Sequence, residues 1–322
     1  MLVLPKLSSN VLKELRKGKN LLAFSAGSDS SALFFMLQAL RIEFDIALVN
    51  YQTREQSLEE EKYAKTLAKK FKKECYTFTC KLDSNNFEHN ARTTRYEFFQ
   101  SIIAKHSYDN LLTAHHLNDR FEWFLMQLSR GAGTVELSGM SEIEENEKYK
   151  TLRPLLNTEK NEILEFLHVN KIKHFLDCSN DDEKHFRNRI RKEFASSFCE
   201  QFSNGIKKSF NYLEKDKERL LPKILEQNNK LYILQRDEDD LINIRGIDKI
   251  VKKLGVLLSS AMRDEILRTK DCIVSSKIAI SFSENKIYIC PVVKTKMDKK
   301  FKEKCRVEKI PSKIRPYLYS IL

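Results

Sequence analysis

No apolar run in this chain of 322 residues approaches the length of a membrane span, and the opening MLVLPKLSSN is too short for a signal peptide's apolar region. The expectation is a cytoplasmic protein without membrane contact. The seven cysteines are odd in number and lack close pairs, which excludes a disulfide framework and suits reduced thiols. Cys75 and Cys80 are spaced poorly for zinc, and no second pair would complete a site. Glycine and proline are scarce, at 8 and 6, and no internal repeat or low-complexity tract is visible. Two common phosphate signatures are missing as well: the Walker A loop with its Lys-Ser/Thr pair, and the spaced glycines of dinucleotide binding.

What is present is a soluble composition, 41% hydrophobic with a mean hydropathy of -0.48, long enough for two domains with separate cores. The net charge of +12 and pI near 9.2 favour a polyanionic partner, although a compositional bias toward lysine gives the same totals. Distribution decides better than total. From Lys294 to Arg315 ten Lys or Arg stand against three acids, a surplus of seven out of twelve. Within that cluster Lys299, Lys300, Lys302 and Lys304 are the expected RNA contacts.

The chain is organised around LLAFSAGSDSSALFFMLQAL, Leu21 to Leu40. Four apolar residues suit a buried parallel strand, a loop of small residues follows from Ser25 to Ser30, and Ser31 opens a run of helical length. A strand-to-helix junction of small residues is an anion site, because free backbone N–H groups and the positive end of the helix dipole point out of it. Gly27 can take positive φ at no steric cost. Asp29 is an acid where phosphate would sit, and it makes sense if magnesium stands between carboxylate and phosphate oxygens. The loop SAGSDS resembles the SGGxDS loop of the N-type ATP pyrophosphatases. That resemblance puts Ser25, Ala26, Gly27, Ser28, Asp29 and Ser30 around ATP, with Ala26 in place of a glycine, a change that costs little if φ there is negative.

Strands are read at Phe44 to Asn50, Glu74 to Cys80 and from Leu111, and helices from about Glu55 to Lys73 and Phe87 to His106. The alternation argues for an α/β fold, a doubly wound parallel sheet with ligands at the strands' carboxyl ends. At one such end lies HHLNDRFEWF, where Asn118 is the expected helix cap and Asp119 and Glu122 share one helical face. In isolation those acids read equally well as partners of the helix dipole. Arg187, Asn188, Arg189 and Arg191 form a basic knot that uses the planar guanidinium rather than lysine, suited to phosphate or carboxylate. A charged helical linker over 199–229 separates a first domain, 1–198, from a small basic α+β domain, 230–322.

Five elements in order, SAGSDS, ARTTRY (Ala91 to Tyr96), AHHLNDRFE running into SRGAG and LSGM, RPLL, and Asp177 to Asn180 followed by RNRIR, resemble the bacterial tRNA(Ile)-lysidine synthetases. The resemblance implies that Asp29 and Asp119 are catalytic and hold magnesium, and that Arg92, Arg95, His115, Asn118, Glu122 and Arg189 contact substrate. Arg187 and Arg191 join the four lysines as expected tRNA contacts. The implied reaction takes ATP, L-lysine and a tRNA(Ile) with a CAU anticodon, and a homodimer is compatible with it. The departures are Asn118 where relatives have an acid, Arg120 for Gln, Trp123 for Thr, and Asn50 and Tyr51 for a His-Gly pair. A tRNA thiolase using the same loop is the rival enzyme; it usually carries CxxC pairs or a persulfide cysteine, for which Cys80 and Cys178 are the only possible residues. A nucleotide-binding regulator without chemistry would not need Asp119, the arginine knot and a basic C-terminal domain together.

Overall fold

The computed structural model describes residues 4–53, 56–82, 87–146, 148–176 and 186–322. The chain forms two compact units, Met1–Glu214 and Lys215–Leu322. In the first unit α1 (Ser9–Lys17) leads into β1 (Asn20–Ala23), α2 (Ser28–Ala39), β2 (Phe44–Asn50), α3 (Gln56–Phe71), β3 (Cys75–Thr79), α4 (Phe87–His106) and β4 (Asn110–Leu112). Then follow α5 (Leu117–Leu128), α6 (Thr134–Leu137), β5 (Ile143–Glu145), β6 (Lys150–Leu152), α7 (Lys160–Val169) and α8 (Phe186–Ile190). A π-helical turn over Arg191–Ala195 runs into α9 (Ser196–Arg219), which kinks at Phe202.

The sheet order is β3-β2-β1-β4-β6-β5, parallel throughout except for β5. Successive side chains of a strand point to opposite faces, and β1 shows what each face packs against. Leu22 belongs to the core of α1, α2, α3 and α7, whereas Leu21 packs with Phe99 and Ile103 of α4. Apolar cover on both faces explains why these strands read as continuous hydrophobic runs. The amino ends are pinned by buried Asn20, whose amide donates to the Leu15, Gly18 and Glu43 carbonyls and whose oxygen accepts from Asn110. After β1 the chain builds outward through β2 and β3, then returns to place β4 on the other side of β1. The carboxyl ends of β1 and β4 therefore flank the topological switch point, where such sheets bind ligands.

In the second unit β7 (Ile224–Asn228), β8 (Leu231–Gln235), α10 (Asp240–Lys253), α11 (Ser260–Thr269), β9 (Asp271–Val274), β10 (Ile278–Phe282), β11 (Lys286–Pro291), α12 (Lys299–Val307) and α13 (Arg315–Ser320) follow in order. Their antiparallel sheet, β7-β8-β11-β10-β9, packs one face on α10 and α11 and the other on Ile314 and Tyr317. No helix among the described residues is long and apolar enough to cross a membrane.

Three expectations are corrected. Helix α2 starts at Ser28, three residues before Ser31, because the small polar residues of the loop supply its first turn. Residues 224–228, read as part of a helical linker, form an edge strand. Ala26, not Gly27, has the positive φ: 61° against -69°. For an L-residue that conformation costs about 1–2 kcal/mol. It is held by two bonds to the buried Ala26 carbonyl, from Phe175 N–H at 3.0 Å and Ser31 Oγ at 3.3 Å.

Candidate active site

The loop after β1 is stitched by its own serines. Ser25 N–H donates to Ser30 Oγ at 3.2 Å, the two hydroxyls lie 3.1 Å apart, and Ser30 Oγ donates to the Gly27 carbonyl at 3.2 Å. No described side chain caps α2, so the amides of its first turn, Ser28 to Ser30, face the crevice as an anion cradle. A Cβ added to Gly27 would meet nothing closer than 3.4 Å, so the fold itself does not demand glycine there.

From this loop a line of ionisable side chains crosses the switch point. Lys160 Nζ donates to Ser28 Oγ at 2.8 Å and to Asp29 Oδ1 at 2.5 Å. The other Asp29 oxygen lies 3.8 Å from His116 Nε2, which lies 3.4 Å from Asp119 Oδ2. That oxygen also accepts from the His116 N–H at 3.0 Å, while Asp119 Oδ1 accepts from Arg187 at 2.5 Å. Arg187 donates onward to Glu122 at 2.7 Å, and Arg191 grips the same carboxylate at 2.6 and 3.1 Å. Glu122 is fully buried, so its charge requires both guanidinium partners.

Local structure explains the order. His116 precedes the first residue of α5, so Asp119 lies in the first turn and folds back onto the His116 amide. Asn118 is not the cap expected of it; its oxygen instead accepts from the Lys160 N–H at 3.2 Å, joining the starts of α5 and α7. Burial would push the Asp119 carboxyl up, but His116, Arg187, His115 and the His116 N–H outweigh it and hold the group below the usual carboxylate range. His115, its Nδ1 2.9 Å from Thr113 Oγ1, is pushed down to about 4 by burial, opposed by Asp119 and reinforced by Arg153, Arg187 and Arg92. It is neutral at pH 7. His116 Nδ1 is buried without a partner among the described residues.

The expected site residues divide into those the fold gathers and those it does not. Ser25, Ala26, Gly27, Ser28, Asp29, Ser30, His115, Asn118, Asp119 and Glu122 meet at the switch point. Arg187 and Arg191, expected as tRNA contacts, also reach inward onto carboxylates. Arg92 is exposed, over the Tyr96 ring at 4.8 Å yet near enough to influence His115. Arg95 is half-buried, its Nε without a partner among the described residues. Arg189 is exposed, stacked 5.4 Å from Phe186 and outside the charge line. Lys299, Lys300, Lys302 and Lys304 are exposed on α12. Asp177 to Asn180, Cys178 included, lie outside the described residues. Of the departures, Arg120 is buried in a pair with Glu214 at 2.8 Å, and Trp123 covers Gly139, where a Cβ would lie 2.8 Å from its ring.

Sequence reasoning missed Lys160. Its one local signal is a cation at the first position of a helix, against the dipole. Among the described residues no three His, Cys, Asp or Glu side chains could hold a metal by themselves. Magnesium is commonly held by one or two carboxylates with phosphate oxygens and water, and Asp29 with Asp119 fits that donor set.

A family profile described as a PP-loop domain matches residues 4–197. A tRNA(Ile)-lysidine synthase of Campylobacter jejuni is 45% identical over 98% of this chain and 97% of its own length. One from Helicobacter pylori is 41% identical over 96% and 92%. Among solved structures, a U34-tRNA thiolase from Methanococcus maripaludis with its iron–sulfur cluster superposes with a TM-score of 0.53 at 16% identity, over 79% of this chain and 86% of that one. That likeness bears on the fold alone.

Proposed function

The chain belongs to the tRNA(Ile)-lysidine synthase family, and from that premise we propose that it joins L-lysine to the wobble cytidine of a tRNA(Ile) with a CAU anticodon. The observation that carries the reading is the line of ionisable side chains from the phosphate loop through Asp29, His116 and Asp119 to Glu122 and its arginines. An anion cradle beside a cluster of mixed charge supports a reaction between a nucleotide and an amino acid.

In the first step the cytidine C2 oxygen attacks the α-phosphorus of ATP, the bond to the β-phosphate bridging oxygen breaks, and pyrophosphate leaves. In the second the lysine ε-nitrogen attacks C2, the C2–O bond breaks and AMP leaves, while the amine gives up a proton. The first-turn amides of α2 bind the phosphates, with Gly27 leaving the backbone open to them. Asp29 and Asp119 would hold magnesium, which offsets charge at the α-phosphate when bound. Glu122 and Asp119 suit the amines of lysine, and Arg187 and Arg191 its α-carboxylate, through the planar fork. Lysidine pairs with A, so the codon read changes from Met to Ile. A tRNA substrate places the enzyme in the cytoplasm.

The thiolase reading needs a reactive thiolate. Burial raises the thiols of Cys75, Cys80, Cys199, Cys272, Cys290 and Cys305, Cys75 to about 11, so none of the described cysteines is prepared for that role. The test is AMP release from ATP with and without lysine and total tRNA. The reading expects release in step with lysine incorporation only when both are present. Release that ignores lysine, or activity lost in a folded Cys80→Ser, Cys178→Ser protein, would overturn it.

A further inference from the structure

The phosphate loop has no cation of its own. Between Phe24 and Ser31 the only ionisable side chain is the Asp29 carboxylate, which would repel the triphosphate the loop is shaped to receive. The cation arrives from 131 positions along the chain. Lys160 opens α7, where an ammonium opposes the helix dipole, so helix stability does not account for it. Its backbone N–H is tied to Asn118 Oδ1 at the start of α5, and its ammonium reaches Ser28 Oγ and Asp29 Oδ1 at 2.8 and 2.5 Å. The two charged side chains are 30% and 31% exposed, so the pair faces the crevice rather than the core. Pairs this exposed contribute little to stability, so exchanging the partner costs little.

We propose that Lys160 is the phosphate-binding lysine of this site, delivered from α7 because the loop lacks one. The proposal rests on the ATP reading above and adds a residue to it. With ATP in the cradle, the ammonium keeps Ser28 and trades its Asp29 oxygen for an oxygen of the β- or γ-phosphate. When the substrate oxygen bonds to the α-phosphorus, the bond to the β-phosphate bridging oxygen breaks and its electron pair leaves on pyrophosphate. Lys160 keeps its proton and offsets that growing charge, while the Asp29 carboxylate is released for the cation that accompanies the nucleotide.

The test is equilibrium dialysis of ATP and of AMP, in the presence of magnesium, against the full-length wild type, Lys160→Met, Lys160→Arg, Asp29→Asn and the Lys160→Met/Asp29→Asn double variant. A charge-assisted bond predicts that Lys160→Met weakens ATP roughly 10- to 100-fold. AMP, which lacks the β- and γ-phosphates, should bind as to wild type, and Lys160→Arg should recover most of the loss. The ATP loss should persist when Asp29→Asn is the background, since the ammonium bonds to phosphate and does not merely neutralise Asp29. Equal weakening of ATP and AMP would show a structural role and overturn the proposal, as would disappearance of the loss in the Asp29→Asn background or unchanged ATP affinity. Failure of the wild type itself to prefer ATP to AMP would overturn the ATP reading as well, and is distinguished by needing no variant.

Discussion

Two basic segments of this chain look alike as strings and behave differently in the fold. In RNRIR, Arg187 and Arg191 turn inward to Asp119 and to Glu122, a carboxylate 65 and 69 positions away from them. In KKFKEK, the α12 residues Lys299, Lys300, Lys302 and Lys304 stay exposed, and Lys304 lies 3.9 Å from Glu308, the residue that ends the helix. The difference lies in what the rest of the fold supplies. A buried glutamate recruits planar guanidiniums, whereas a surface helix with one buried residue, Cys305, leaves its ammonium groups to solvent and to whatever polyanion approaches. Charge in the first unit is paired across the fold; charge in the second is left on the surface.

The largest effect expected is at the centre of the charge line. Asp29→Ala or Asp119→Ala should lower pyrophosphate release roughly 100- to 10,000-fold with the fold and tRNA affinity retained, since each removes an acid from the reacting phosphates. Near-wild-type release from both would remove them from the chemistry. Next, Arg187→Met and Arg191→Met should each raise the KM for lysine about 10- to 100-fold without changing the salt dependence of tRNA binding. An unchanged lysine KM with a flatter salt slope would make these arginines RNA contacts after all, and the comparison would collapse.

Neutralising Lys299, Lys300, Lys302 and Lys304 to Gln should do the reverse. Each ammonium–phosphate pair removed lowers the log–log salt slope by about 0.7 to 0.9, while ATP affinity stays fixed. Binding curves that overlay wild type at every salt concentration would make the lysines a solvated surface.

Much of the fold was legible where a pattern is local. The β2 and α4 bounds follow from an apolar run and a long helical stretch, and both fall at Phe44–Asn50 and Phe87–His106. Strand β7 was not legible because ILEQN is exposed along its whole length and carries no apolar period. The site was half legible: glycine, serine and aspartate at a strand-to-helix junction announce an anion cradle, and two acids on one turn announce themselves. Lys160, the inward turn of the arginines and the capping of α7 by Asn118 depend on partners dozens of positions away, which no local period encodes.

Two smaller effects sharpen the electrostatics and the loop. As pH falls below 6.5, the unfolded chain protonates His115 while the folded site refuses the proton until about pH 4, so the stability of neutral His115 is present above 6.5 and lost on the way down. His115→Gln should therefore flatten the fall in urea midpoint between pH 7 and pH 5; an unaltered profile would show that another group governs it. Ala26→Gly should relieve a positive-φ strain of about 1 kcal/mol and lose a similar amount to unfolded-chain entropy. The thermal midpoint should scarcely move, whereas a large drop would mean the Ala26 methyl packs more than its φ suggests.

The central claim is that one line of residues joins nucleotide activation to lysine transfer, and following the α-phosphate tests it most directly. ATP labelled at the α-phosphorus, incubated with enzyme and CAU-anticodon tRNA without lysine, should leave label on the tRNA, and added lysine should chase it off as AMP while lysine enters the tRNA one for one. Lysine entering without label ever residing on tRNA, or labelled AMP forming without tRNA, would contradict it.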